Sequence, residues 1–144
     1  MKIRRQARGI ALQALFEIDS VGHNINLVLP HLIENENLPV EGATFAQSIV
    51  NGVIEHAARL DAIIAKHAPE WPVEQLAIVD RNILRIALYE LQYAEDVPIK
   101  VAVNEAVELA KLYGSDTAPR FVNGVLGAFL QEHSPAELRN LKHA

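Results

Sequence analysis

The chain has 144 residues, half of them hydrophobic, and a net charge of −5. That length fits a single domain with an adequate core. Having no cysteine excludes disulfides, thiolate metal sites and cysteine nucleophiles and suits a reducing, cytoplasmic setting, and no run reaches the roughly 18 apolar residues of a membrane span.

The first element, MKIRRQARGIALQALF, opens like a signal peptide, with a basic head before an apolar stretch. Arg8 and Gln13 interrupt that stretch, and Glu17 and Asp19 follow it, so it reads as part of the mature fold. Ile3, Ala7, Ile10, Ala11, Ala14, Leu15 and Ile18 recur at helical steps and form one apolar stripe. Arg4, Arg5 and Arg8 fall on one flank of the stripe. Leu12 and Phe16 continue that flank, and Phe16 reads as core. Lys2, Arg4, Arg5 and Arg8 place four positive charges in the first eight residues, while residues 9–144 hold 9 bases and 18 acids, or −9. A basic tip on an acidic body is a local electrostatic footprint, although a solvated helix start reads the same way.

Residues 19–26 are polar enough for a connector, and Leu27 to Glu36 reads as a short second helix despite Pro30. Asn37 to Gly42 is a break. Thr44 with Gln47 suggests a capping box opening a third helix, with Phe45, Ile49, Val53 and Ile54 on its apolar face. Leu60, Ile63 and Ile64 continue that helix or start a fourth, to about His67. Pro69 and Pro72 bracket Trp71 in another break. An amphipathic stretch from about Val73 to Tyr93 buries Leu76, Val79, Ile83, Ile86, Ala87 and Leu91. Asp96 and Pro98 mark the next helix start, and Gly114 its end. Asp116 or Thr117 caps a helix carrying Phe121, Val122, Val125, Leu126 and Phe129. Ser134-Pro135-Ala136-Glu137 is a capping box for a short last helix. Strand and hairpin signals are absent. The expected fold is therefore all-α, a compact bundle of six to seven helices, organised as one domain, 1–144, with helical halves at about 1–68 and 73–144.

Catalytic chemistry has little support. The six histidines, His23, His31, His56, His67, His133 and His143, form no helical pair or HExxH motif, so they read as surface or capping residues rather than metal ligands. Phosphate loops and nucleophile elbows are also missing, and Gly52, Gly114, Gly124 and Gly127 read as helix ends or close-packing points. Glu105, Glu108 and Lys111 read as a solvated, salt-bridged face rather than a carboxylate pair. Asp80, Arg81 and Arg85 lie on an otherwise apolar helix, where structural salt bridges and a polar contact surface are both open readings. No catalytic residue, metal or cofactor is expected, and a chemically quiet helical body with a basic tip favours binding.

Four segments, in order, resemble the NusB family: Arg4–Arg8 with Ala11–Phe16; Val79–Leu91 (VDRNILRIALYEL); Asp96–Lys111 (DVPIKVAVNEAVELAK); and Phe121–Leu126 (FVNGVL). Residues 20–60 match only in pattern. The resemblance implies two packed subdomains of three and about four helices. It also implies transcription antitermination: pairing with NusE, a small-subunit ribosomal protein, to bind single-stranded boxA RNA and help RNA polymerase read through terminators in ribosomal RNA operons.

On that resemblance, Lys2, Arg4, Arg5 and Arg8 track phosphates. The start of the FVNG helix, with Thr117, Arg120 and Phe121 and its backbone N–H groups, forms a second RNA region that Lys100 joins. Phe121 reads equally well as pure core. The NusE contact is expected around Asp80 and Arg81, extended by Glu90. Ala118-Pro119 departs from the more polar residues common in the family before FVNG, and Pro119 removes an N–H donor. Two rivals remain: a helical protein-interaction module without RNA binding, and a ribosomal RNA cytosine methyltransferase, which carries a similar amino-terminal domain. The sequence holds neither the cysteines nor the methyl-donor domain of such an enzyme. Monomer and homodimer are both compatible with it.

Overall fold

A computed structural model describes the backbone of residues 2–142 and side chains as far as Leu138; His143 lies outside the described residues. Among these, all regular structure is helical. Eight α-helices and one 3-10 turn replace the six or seven expected, in two compact units, Met1–Glu55 and His56–Ala144.

In the first unit, α1 (Lys2–Val21) packs on α2 (Ile25–Asn35) and α3 (Val40–Glu55). Ala7, Ile10, Ala11, Ala14 and Leu15 are buried, as the periodicity predicts. The buried face is wider than the stripe, because Arg8 and Leu12 on its flank are also buried. Phe16 corrects its core assignment and is 39% exposed. Helix α2 starts two residues before Leu27, where the Asn24 side chain accepts the Asn26 N–H at 2.9 Å. Helix α3 starts four residues before Thr44, so the expected capping box is not its opening. Pro39 sets the entry, its carbonyl accepting the Ala43 N–H at 2.8 Å, and Glu41 complements the helix dipole in the first turn.

The second unit contains α4 (Ala57–His67), the 3-10 turn Val73–Gln75, α5 (Ile78–Tyr93), α6 (Ile99–Tyr113), α7 (Ala118–Glu132) and α8 (Pro135–Lys142). Helix α5 is central, packing on α4, α6, α7 and α8. That explains why Ile83, Leu84, Ile86, Ala87, Leu88 and Leu91 are all nearly inaccessible. Helix α4 packs with α5 and α7, so it groups with the second unit although the Pro69–Pro72 break follows it. At the end of α6, Gly114 caps the chain with φ −93°, and its N–H donates to the Ala110 carbonyl at 2.9 Å. A side chain there is excluded by crowding, since an added Cβ would lie 2.5 Å from the Ala118 Cβ. Gly124 and Gly127 are mid-helix with open space around them, so neither is a helix end or a packing point. The last capping box forms as expected, with the Ser134 Oγ accepting the Glu137 N–H at 3.2 Å.

Candidate nucleic-acid interface

In the first unit, Lys2 and Arg5 are exposed, Arg4 is half-buried and Arg8 is buried. The guanidinium carbons of Arg4 and Arg8 sit 4.5 and 5.0 Å from the centre of the Phe45 ring. Both cations are therefore held against one aromatic face of α3, which favours a planar, weakly hydrated guanidinium over an ammonium. The expectation of an exposed Arg8 is corrected: at 3% exposure it supports the tip from below, while Lys2 and Arg5 present charge to solvent. Gln6 fixes the same end of α1 by donating to the Glu36 carbonyl at 3.3 Å. Nothing in the sequence distinguished Phe45 from the other apolar residues of its helix.

In the second unit, Lys100 is exposed in the first turn of α6, and Thr117 and Arg120 are exposed at the start of α7. Phe121 is half-buried, between its two readings. The α7 amino end offers fewer N–H donors than expected. The Ala118 N–H donates to the Ser115 carbonyl at 3.1 Å, the Phe121 N–H to the Thr117 carbonyl at 3.1 Å, and Pro119 has none. The side chains are thus the main polar offer. Arg120 and Phe121 line a groove of about 300 Å³ with His67 and Trp71.

The residues expected to meet a protein partner divide sharply. Arg81 is 8% exposed and Glu90 1%. Arg81 donates to the carbonyls of Val73, Glu74 and Leu76 at 3.4, 2.9 and 3.4 Å, clamping the 3-10 turn onto α5. The expectation that Arg81 and Glu90 offer a polar contact surface is therefore corrected, because central α5 draws both inward. Of the two readings of this arginine pair, Arg85 takes the structural one as well, with a two-pronged bond to Asp61 at 2.7 and 2.9 Å. Asp80 remains half-exposed in the first turn of α5, beside the Gly114 turn, and burial pushes its carboxyl above the ordinary value. Glu108 and Lys111 pair at 3.3 Å as expected, but Glu105 is buried rather than solvated.

The first unit thus carries a cationic tip, and the second an aromatic, cation-edged groove. A model of the NusB family matches residues 5–131. The chain belongs to the NusB family. It is 50% identical over 133 residues to the transcription antitermination protein NusB of Roseiflexus sp. (strain RS-1), covering 91% of this chain and 94% of that one. It is 48% identical over 123 residues to that of Bacillus subtilis (strain 168), covering 85% and 91%. The NusB fold agrees as well. T. maritima NusB superimposes with a TM-score of 0.85 at 33% identity, over 96% of this chain and 97% of that one. A NusB crystallised with NusE and double-stranded RNA gives 0.83 at 29% identity, over 92% and 99%.

Proposed function

We propose that this chain is a transcription antitermination factor that binds boxA RNA together with NusE, within an antitermination complex on RNA polymerase, to promote read-through in ribosomal RNA operons. The observation that carries the reading is near-full-length similarity to relatives named transcription antitermination protein NusB. The residue chemistry supports it. Lys2 and Arg5 are exposed at a tip whose charge opposes that of the remaining chain, and Phe45 orders Arg4 and Arg8 behind them. Lys100, Thr117, Arg120 and Phe121 are the second RNA region of this proposal. The NusE contact centres on Asp80, with Arg81 clamping the preceding turn onto α5 and Glu90 buried further along the same helix. The role is binding rather than catalysis, and its place is the cytoplasm, where bacterial transcription occurs.

A labelled boxA RNA, titrated with the chain alone and with NusE at two salt concentrations, tests this by fluorescence anisotropy. Weak, salt-sensitive binding that tightens with NusE is expected. A double-stranded competitor separates strand preference from charge. A folded chain that binds no RNA in any arm leaves a helical module serving another partner and ends the proposal.

A further inference from the structure

Trp71 lies in the segment between α4 and α5, outside the regions to which the family resemblance assigned RNA contacts. The residue is 60% exposed, a large apolar surface for solvent to cover. Pro69 and Pro72 flank it, each with φ restrained by its ring, so the indole is presented by a stiff segment. Trp71 shares its groove of about 300 Å³ with His67, Arg120, Phe121 and Gly124. Gly124 puts no side chain into this groove. His67 forms a fixed wall, its side chain 7% exposed, set edge-on to Phe129 with ring centres 6.3 Å apart and 3.5 Å from the Glu132 carboxylate.

We infer that this groove is a base subsite, in which Trp71 is the stacking platform for one unpaired base of the bound RNA. The inference rests on the RNA-binding reading of Arg120 and Phe121, with which the groove is continuous. Two aromatic side chains suit the flat, polarisable face of any base. Arg120 supplies the cation for the adjoining phosphate, while Glu70, also on the lining, repels a phosphate drawn into the groove itself. The groove therefore orients a nucleotide with its base inward and its phosphate toward Arg120. The subsite selects for unstacked bases, which favours single strands over duplexes.

Trp71 is the one tryptophan in the chain, so its emission reports on this groove alone. The chain is titrated with single-stranded boxA RNA while tryptophan emission is followed, and the same titration is followed by anisotropy of labelled RNA. Emission is expected to be quenched in parallel with the anisotropy rise. Trp71→Ala and Trp71→Leu are expected to weaken binding about fivefold or more, and Trp71→Phe to retain most of it. Melting temperature serves as the folding control, and if the alanine variant does not fold, quenching and the phenylalanine–leucine comparison decide. RNA binding with unmoved emission and an unchanged Trp71→Ala affinity overturns the subsite and leaves the RNA reading standing. A leucine variant that binds like the parent overturns stacking in favour of plain apolar contact. Absence of RNA binding by the folded parent overturns the RNA reading itself, and the subsite with it.

Discussion

At the residue scale, the basic cluster separates into charges that are presented and charges that are built in. Arg5 is exposed, while Arg8 is 3% exposed and lies over Phe45. Removing Arg5 should therefore weaken RNA binding and lower its salt dependence by up to about 0.7 in slope, with the melting temperature unmoved. Arg8→Ala should instead cost about 1–2 kcal/mol, because it removes a desolvated cation–π contact and leaves space under the helix. Thermal melting alongside RNA titration checks the contrast; equal melting temperatures for the two variants would refute the division. Arg81→Ala should be costlier than either RNA-tip change, at about 2–3 kcal/mol, since it leaves three carbonyls without their charged donor. Urea unfolding measures that loss.

At the scale of elements, two glycines of similar sequence appearance make opposite predictions. Gly114 ends α6 where an added methyl would meet the Ala118 Cβ at 2.5 Å and the Ala110 oxygen at 2.9 Å. Gly114→Ala should destabilise by about 1–3 kcal/mol through forced separation of α6 from the start of α7. Gly127 is exposed inside α7 with nothing within 4 Å of an added Cβ. Gly127→Ala should stabilise by about 0.5–1 kcal/mol, by restricting the unfolded chain and improving helix propensity. A single series of urea melts shows both signs, and a stabilised Gly114→Ala would mean the turn has room the packing denies.

For the whole molecule, two carboxyls give stability opposite pH responses. Burial raises Asp80 above its ordinary 3.8. Its contribution is greatest below that value and is lost as pH rises through the raised one. Asp80→Asn should therefore be more stable than the parent at neutral pH, with the difference closing in acid; if NusE docks there, the same change weakens that binding. Glu132 is lowered chiefly by its hydrogen bond from Lys66, at 2.8 Å, so its contribution is present above the ordinary 4.5 and lost as pH falls through the lowered value. Glu132→Gln should cost a little stability at neutral pH and nothing in strong acid. Melting temperatures across the acid range test both, and parallel pH profiles for the two variants would contradict the assignments.

Much of the fold was legible because it depends on short-range rules. The stripe of Ala7, Ile10, Ala11, Ala14 and Leu15, the Gly114 stop and the Ser134 cap follow from helical periodicity and local hydrogen bonding. The family was legible too, in the segments from Val79 to Leu91 and Asp96 to Lys111. Trp71, set between the turn-forming Pro69 and Pro72, is the sequence signal for an exposed aromatic. What the tertiary structure alone decided was the facing of side chains at the edges of those stripes. Arg8 went in and Phe16 came out, Arg81, Glu90 and Glu105 were buried, and Phe45 became a seat for two arginines. Periodicity assigns a residue to a helix face, but burial depends on how many neighbouring helices cover that face, and that is set by residues distant in sequence.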